Sequence, residues 1–249
     1  MQKHNDDAHG HSHAKTEKSE HAEHKKRGAW ASIKEILLTV VIALAVSVVV
    51  KTFLFRAFVI PSTSMQNTLM VNDRVFVNQL FPKLFTLERG NVIVFKDDEH
   101  WLPPLDHSAQ PNGFEKTLTF LGLRPDDSTQ HLIKRIIGLP GDTVECCTAN
   151  GKISVNGVEI SEPYLYPGNA PSATEFKVTV PKDKLWVMGD HRSDSGDSRY
   201  HQDKDNGMVS MESVVGRADF IAWPLDRWSG VANPEGAFDA VPDREPQGE

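Results

Sequence analysis

Ile36 to Val50 is apolar at every position except Thr39 and Ser47, and after Lys51 the pattern resumes with Phe53, Leu54 and Phe55. A stretch of this kind has to leave water, and it limits what the rest of the chain can be. The unbroken run falls a little short of the ~20 residues that cross ~30 Å of hydrocarbon. Lys51 can extend its amine toward the surface, so the flanking residues complete a span over 33–55. Lys25, Lys26, Arg27 and Lys34 precede the run. The excess of positive charge on that side predicts a cytoplasmic N-terminus, with everything from residue 56 outside a plasma membrane crossed once. A cleaved export signal is the rival, because Ala43-Leu44-Ala45 has the small-x-small form of a cleavage site. Val46 to Val50 would hold that bond inside the hydrocarbon, which favours an uncleaved anchor.

Residues 1–29 carry histidines at 4, 9, 11, 13, 21 and 24 among Lys, Glu, Asp and Ser. With so little apolar surface to bury, this stretch is expected to be a disordered cytoplasmic tail. His9, His11 and His13 could catch a transition metal adventitiously. Residues 231–249, polar and rich in Pro and Gly, are expected to form a flexible C-terminal tail.

Between the tails the chain reads as β structure. Asp73 to Asn78, Asn91 to Phe95, Gln130 to Ile137, Lys152 to Asn156 and Glu175 to Val180 are short and rich in Val, Ile and Phe. Turn residues separate them, as in Pro140-Gly141-Asp142 and Asn150-Gly151. The expectation is an all-β domain over 56–230, a compact antiparallel barrel or sandwich. Residues 98–129, with Pro103, Pro104, Pro111 and Pro125, are expected to be an irregular insertion. Net charge bears on partners: 27 basic against 34 acidic side chains leave no concentrated basic surface, which argues against nucleic acid. The only cysteines, Cys146 and Cys147, are adjacent. A bond between them would close a strained ring, so free thiols are expected. No zinc pattern can be built from them, and no metal or cofactor is called for.

Three segments carry polar chemistry. In Ile60-Pro61-Ser62-Thr63-Ser64-Met65, one hydroxyl could attack a carbonyl while the other, with a backbone N–H, donates to an oxyanion. Serines in turns more commonly satisfy only local backbone groups. Lys134, in Leu132-Ile133-Lys134-Arg135-Ile136-Ile137, would share a strand face with Leu132 and Ile136. A lysine buried among aliphatics loses basicity and can act as a base near neutral pH. An edge strand with Lys134 exposed is the bland alternative. Arg135 would stay charged and need a carboxylate. Met188 to Tyr200 is dense in Asp and Arg, as in a loop paired with itself that braces something. Its spacing misses the EF-hand pattern for calcium. His191 with an aspartate could complete a Ser-His-Asp triad on Ser64.

Taken together, these segments resemble the type I signal peptidases, the serine proteases that cut signal peptides from exported proteins. The likeness rests on the membrane anchor, Pro61-Ser62-Thr63-Ser64-Met65, Lys134 to Asp142 and Gly189 to Arg199, in that order over roughly residues 36–223. The resemblance implies Ser64 as nucleophile and Lys134 as general base. It implies an oxyanion hole from the Ser64 N–H and the Ser62 hydroxyl, and a Ser195 hydrogen bond that aims the Lys134 amine. Arg135 with Asp190, and Asp197 with Arg199, would be bracing ion pairs. Phe58, Ile60, Leu132 and Ile133 match positions lining pockets for alanine-sized side chains at −1 and −3, an A-x-A specificity. Phe53, Phe55 and Phe58 would seat the domain against the bilayer, and the partners are signal peptides and lipid. Two departures stand out: Asn72-Asp73 replaces the usual Gly-Asp, and His191 stands where Asn is usual. Another Ser/Lys peptidase, and a tethered β-domain that only binds, are the competing readings.

Overall fold

The computed structural model describes residues 33–48, 54–104, 130–231, 233 and 235–246. Two compact units divide the chain, Met1–Val50 and Lys51–Glu249. Of the first, residues 33–48 form a helix whose side chains are all exposed. Sixteen residues rise ~24 Å, and among the described residues no helix is long and apolar enough to cross a membrane. The histidine-rich tail and the continuation of the apolar run through 49–53 lie outside the described residues.

The second unit is built on antiparallel strands, numbered here along the chain: β1 Phe55–Val59, β2 Arg74–Asn78, β3 Val92–Lys96, β4 His131–Gly138, β5 Thr143–Cys146, β6 Ser154–Val155, β7 Val158–Glu159, β8 Phe176–Thr179, β9 Lys184–Met188, β10 Val209–Ser210, β11 Val214–Trp223 and β12 Ser229–Gly230. One sheet runs β1-β2-β11-β3-β4-β9-β10, with β12 beside β11, and a smaller one runs β7-β6-β5-β8. The all-β expectation holds. Its barrel form does not, because the path is open and no pairing joins β1 to β10 among the described residues. Phe55, which the sequence puts at the end of the anchor, is instead the first residue of β1 and pairs with Asn78.

β4 shows why the sequence folds this way. It lies between β3 and β9, so both of its edges are paired, and all its residues from Leu132 to Gly138 are buried. Its side chains divide by the two-residue period of a strand. Leu132 and Ile136 join Ile93, Phe95, Leu185 and Val187 in one cluster, while Ile133 joins Ile60, Met65, Val92 and Val94 in another. Ile137 enters a third cluster, with Val144, Ile153, Val155 and Trp186, that ties the two sheets together.

Two further expectations change. The described C-terminal residues are not loose: Ala237 and Val241 are buried, and Pro242 O accepts 2.8 Å from Asn156 Nδ2. Val241 lands on the third cluster, and apolar contact holds what polarity alone suggested would drift. Cys146 and Cys147 are joined to each other rather than free. Cys146 is buried at the end of β5, where the bond is shielded by the same cluster. The insertion is described only at its base, where Asp97 N donates 3.0 Å to Gln130 O and Trp101 stacks on His201 at 4.5 Å. Residues 105–129 lie outside the described residues.

Candidate active site

Ser64 sits in the turn that follows β1. Ile60 N donates 2.9 Å to Asp73 O, and Asn72 N donates 2.8 Å back to Ile60 O. These bonds pin the two ends of the 60–73 loop. Asn72 has φ of 71°, the left-handed conformation that Asn tolerates better than most residues, so its replacement of glycine leaves the turn intact. Leu69 N returns to Met65 O at 2.8 Å, and Met65 and Leu69 are fully buried. Ser64 is therefore held on a short turn with an apolar underside.

Lys134 approaches from β4. Its Nζ donates 2.8 Å to Ser64 Oγ and 3.0 Å to Ile133 O. Lys134 as a whole is 4% exposed. Burial pulls its pKa down to about 8, against the opposing pull of the Asp197 and Asp190 carboxylates. An alcohol beside a weakly basic, water-poor amine is the arrangement that activates a nucleophile. Ser62 Oγ lies 3.3 Å from Ser64 Oγ.

Around the pair lies a shell of buried ion pairs. Arg135 grips Asp190 with two bonds, Nε to Oδ1 at 2.8 Å and Nη2 to Oδ2 at 2.6 Å. Its third nitrogen, Nη1, donates 2.7 Å to Gly90 O, and its plane lies 4.1 Å from the Tyr164 ring. Burial opposes the Arg135 charge, but Asp190 outweighs it and raises the pKa. Arg199 holds Asp197 through Nε and Nη2, both at 2.8 Å. Asp197 Oδ2 in turn accepts 2.9 Å from Gly189 N.

Gly189 is where this shell meets the Ser64 turn. A Cβ there would come 2.5 Å from Ser64 O and 2.2 Å from Ser195 Oγ, so only glycine lets the two segments close. His191 N then donates 3.0 Å to Ser64 O. The His191 ring faces elsewhere, with Nδ1 3.3 Å from Thr63 O and its plane stacked on Tyr166 at 4.0 Å. The hydrogen bonds of Ser64 Oγ go to Lys134 and Ser62, which leaves a His triad without its defining contact.

The structure thus brings together Ser62, Ser64, Lys134, Arg135, Asp190, Asp197 and Arg199. Ser195 is also here, but the hydrogen bond expected from it to Lys134 is not formed; its buried Oγ has no partner among the described residues. Phe58, Ile60 and Ile133 pack in one cluster, and Leu132 packs in the other. Two contributors escape the sequence reading. Glu162, 4% exposed at its side chain, pairs with Arg192, whose Nε donates 3.0 Å to Gly189 O. Thr68 Oγ1 donates to Asp190 Oδ2. Nothing about a glutamate between Ser161 and Pro163 marks it as a partner for a residue thirty positions on.

Comparison with known proteins agrees with this geometry. Residues 33–223 match the family model described as signal peptidase, peptidase S26. A probable signal peptidase I of Mycobacterium leprae is 35% identical over 244 residues, covering 85% of this chain and 82% of its own length. A signal peptidase I of Mycobacterium tuberculosis is 36% identical, with 82% of this chain and 78% of its own length covered. A probable signal peptidase I-2 of Synechocystis is 34% identical, with 85% and 81% covered. With a buried serine–lysine pair at its centre and a family match that takes in both residues, this chain belongs to the signal peptidase family, peptidase S26.

Proposed function

We propose that this chain is a membrane-tethered serine endopeptidase that removes signal peptides from exported preproteins after an A-x-A sequence, with Ser64 as nucleophile and Lys134 as general base. The observation that carries the reading is the 2.8 Å hydrogen bond between Lys134 Nζ and Ser64 Oγ, made by an amine whose pKa is about 8. At pH 7 roughly one molecule in ten then holds a neutral lysine, against fewer than one in a thousand for an exposed side chain.

Ser64 Oγ attacks the carbon of the scissile carbonyl as its proton passes to Lys134 Nζ. The carbonyl oxygen becomes an oxyanion, received by the Ser64 backbone N–H and the Ser62 hydroxyl. When the C–N bond breaks, Lys134 returns the proton to the leaving amine, and an acyl group remains on Ser64. A water then gives a proton to the neutral amine and attacks the ester, which frees the signal peptide and restores the hydroxyl. Phe58, Ile60, Leu132 and Ile133 are the residues proposed to keep the −1 and −3 pockets small. The helix over 33–48 exposes apolar side chains all round, which suits lipid and is costly in water. With the basic residues before it, this supports a single-pass plasma-membrane anchor with the catalytic domain outside.

The test is cleavage of a preprotein carrying an A-x-A site by the full chain in detergent. Ser64→Ala and Lys134→Ala should each lower kcat by at least about a thousandfold. In the wild type, kcat/KM should climb about tenfold per pH unit below pH 8 and level off above it. A Lys134→Ala enzyme that still cuts efficiently would remove the dyad, and a wild type that cuts no preprotein would remove the function.

A further inference from the structure

Two separate stretches of chain cross the site in the same order. One runs from Phe58 and Ile60 through Ser64 to Asn67, whose Nδ2 donates 3.0 Å to Tyr164 O and 3.1 Å to Leu165 O. The other runs along β4 from Ile133 through Lys134 to Arg135, which lies against Tyr164 and holds Asp190. Both begin at the residues proposed to line the −1 and −3 pockets, pass the dyad, and end at the 164–166 segment and Asp190–His191. Whatever lies at that far end flanks the departing side of the scissile bond.

What lies there is a pair of flat rings. Tyr166 and His191 stack with centroids 4.0 Å apart and planes 21° from parallel. The stack is fixed from below: Tyr166 N donates 3.0 Å to Asp190 O, and His191 N donates 3.0 Å to Ser64 O. Tyr166 is nonetheless 36% exposed, while Ser64 beside it is buried. A half-open aromatic surface clamped to the nucleophile's own carbonyl is a poor contributor to the core and a ready-made wall for a ligand.

We propose that the Tyr166–His191 stack is a specificity-determining platform for the first residue after the scissile bond, favouring apolar and above all aromatic side chains there. The inference rests on the proposed function, because it takes the pocket side of the cleft from that reading. The first mature residue directly follows the scissile carbonyl, so it is the first to pass the dyad on this side. Its flat face can stack on the outer ring of the pair, and the contact strengthens with the area covered.

The experiment uses the full chain in detergent and a series of peptides identical through an A-x-A cleavage site, with Gly, Ala, Leu or Phe as the first mature residue. Wild-type kcat/KM should rise along the series, by about 3- to 10-fold from Gly to Phe. Tyr166→Ala should flatten the series to within about twofold, while Tyr166→Phe keeps it. Both variants should retain the wild-type penalty for replacing the −1 alanine by valine, which reports on the other side of the cleft. A wild-type series with no slope, or a Tyr166→Ala enzyme slowed equally on all four peptides, overturns the platform and leaves the proposed function standing. A wild type that cuts none of the peptides overturns the proposed function, and the platform with it.

Discussion

Lys134 and Arg135 follow one another on β4, and both are almost out of water, at 4% and 1% exposure. The protein handles the two charges in opposite ways. Arg135 receives a carboxylate in a two-bond grip, a carbonyl and an aromatic face, and keeps its charge at any pH the protein meets. Lys134 receives only a hydroxyl and a carbonyl, with Asp190 and Asp197 held by arginines of their own. Burial without a committed counter-ion is what moves a pKa; burial with one is what builds a brace. The two carboxylates that act on the lysine, Asp190 and Asp197, are each held by an arginine.

This contrast is most easily broken by giving both residues the same apolar replacement. Arg135→Met strands the Asp190 carboxylate at 0% exposure and should cost about 3–5 kcal/mol in chemical denaturation. Lys134→Met removes a buried cation that has no partner charge and should instead stabilise the protein by about 2 kcal/mol at pH 7, while abolishing cleavage. The sign follows from linkage. With the native pKa near 8 and the ordinary value 10.5, the unfolded chain binds more protons between those two values, so wild-type stability rises across that window. The advantage of Lys134→Met is therefore full below pH 8 and fades toward pH 10.5. Equal destabilisation by the two substitutions would end the distinction.

A smaller effect sharpens it. Asp197 raises the Lys134 pKa while its main bonds go to Arg199 and Gly189. Asp197→Asn removes a negative charge and leaves the Arg199 charge uncompensated, and both changes push the lysine further down. The rising limb of the pH–rate profile should move to lower pH by about half to one unit. A shift to higher pH would mean that the aspartate acts on something other than the amine.

Much of this was legible in the sequence, and the gaps have physical causes. All five strands read from short Val- and Ile-rich runs are present, because turn residues bound them clearly. β9, Lys184–Met188, escaped because it is buried on both faces and shows no alternation. β11, Val214–Trp223, escaped because Gly216 and Arg217 interrupt it. Gly216 is needed where the backbone comes close to Asn78, a Cβ there being 2.3 Å from Asn78 O, and Arg217 lays its guanidinium on the Phe81 ring at 3.9 Å. Neither reason is local to the strand. The same holds at the site: Ser64, Lys134 and the carboxylate demanded by Arg135 could be named in advance. The Glu162–Arg192 pair could not, since it joins two loops that meet only once both sheets are folded.

Ser195 provides the finest test, since it is a neutral group in the place where the charged ones are so carefully matched. Its Oγ is buried, packed beside Gly189 and unpartnered among the described residues. An orphaned hydroxyl contributes nothing to offset its own desolvation, so Ser195→Ala should leave stability within about 0.5 kcal/mol of wild type, on the favourable side. Activity separates two possibilities that stability does not. If Ser195 aims the lysine once substrate closes the site, kcat should fall by about 10- to 100-fold with KM little changed, and Ser195→Thr, which keeps a hydroxyl there, should recover part of the loss. If the orphaned group is only filler against the glycine, Ser195→Ala should cut preprotein at the wild-type rate. The amine would then be oriented by Ser64 and the Ile133 carbonyl alone, and the opposition between a braced arginine and an unbraced lysine would need no third hydroxyl to complete it.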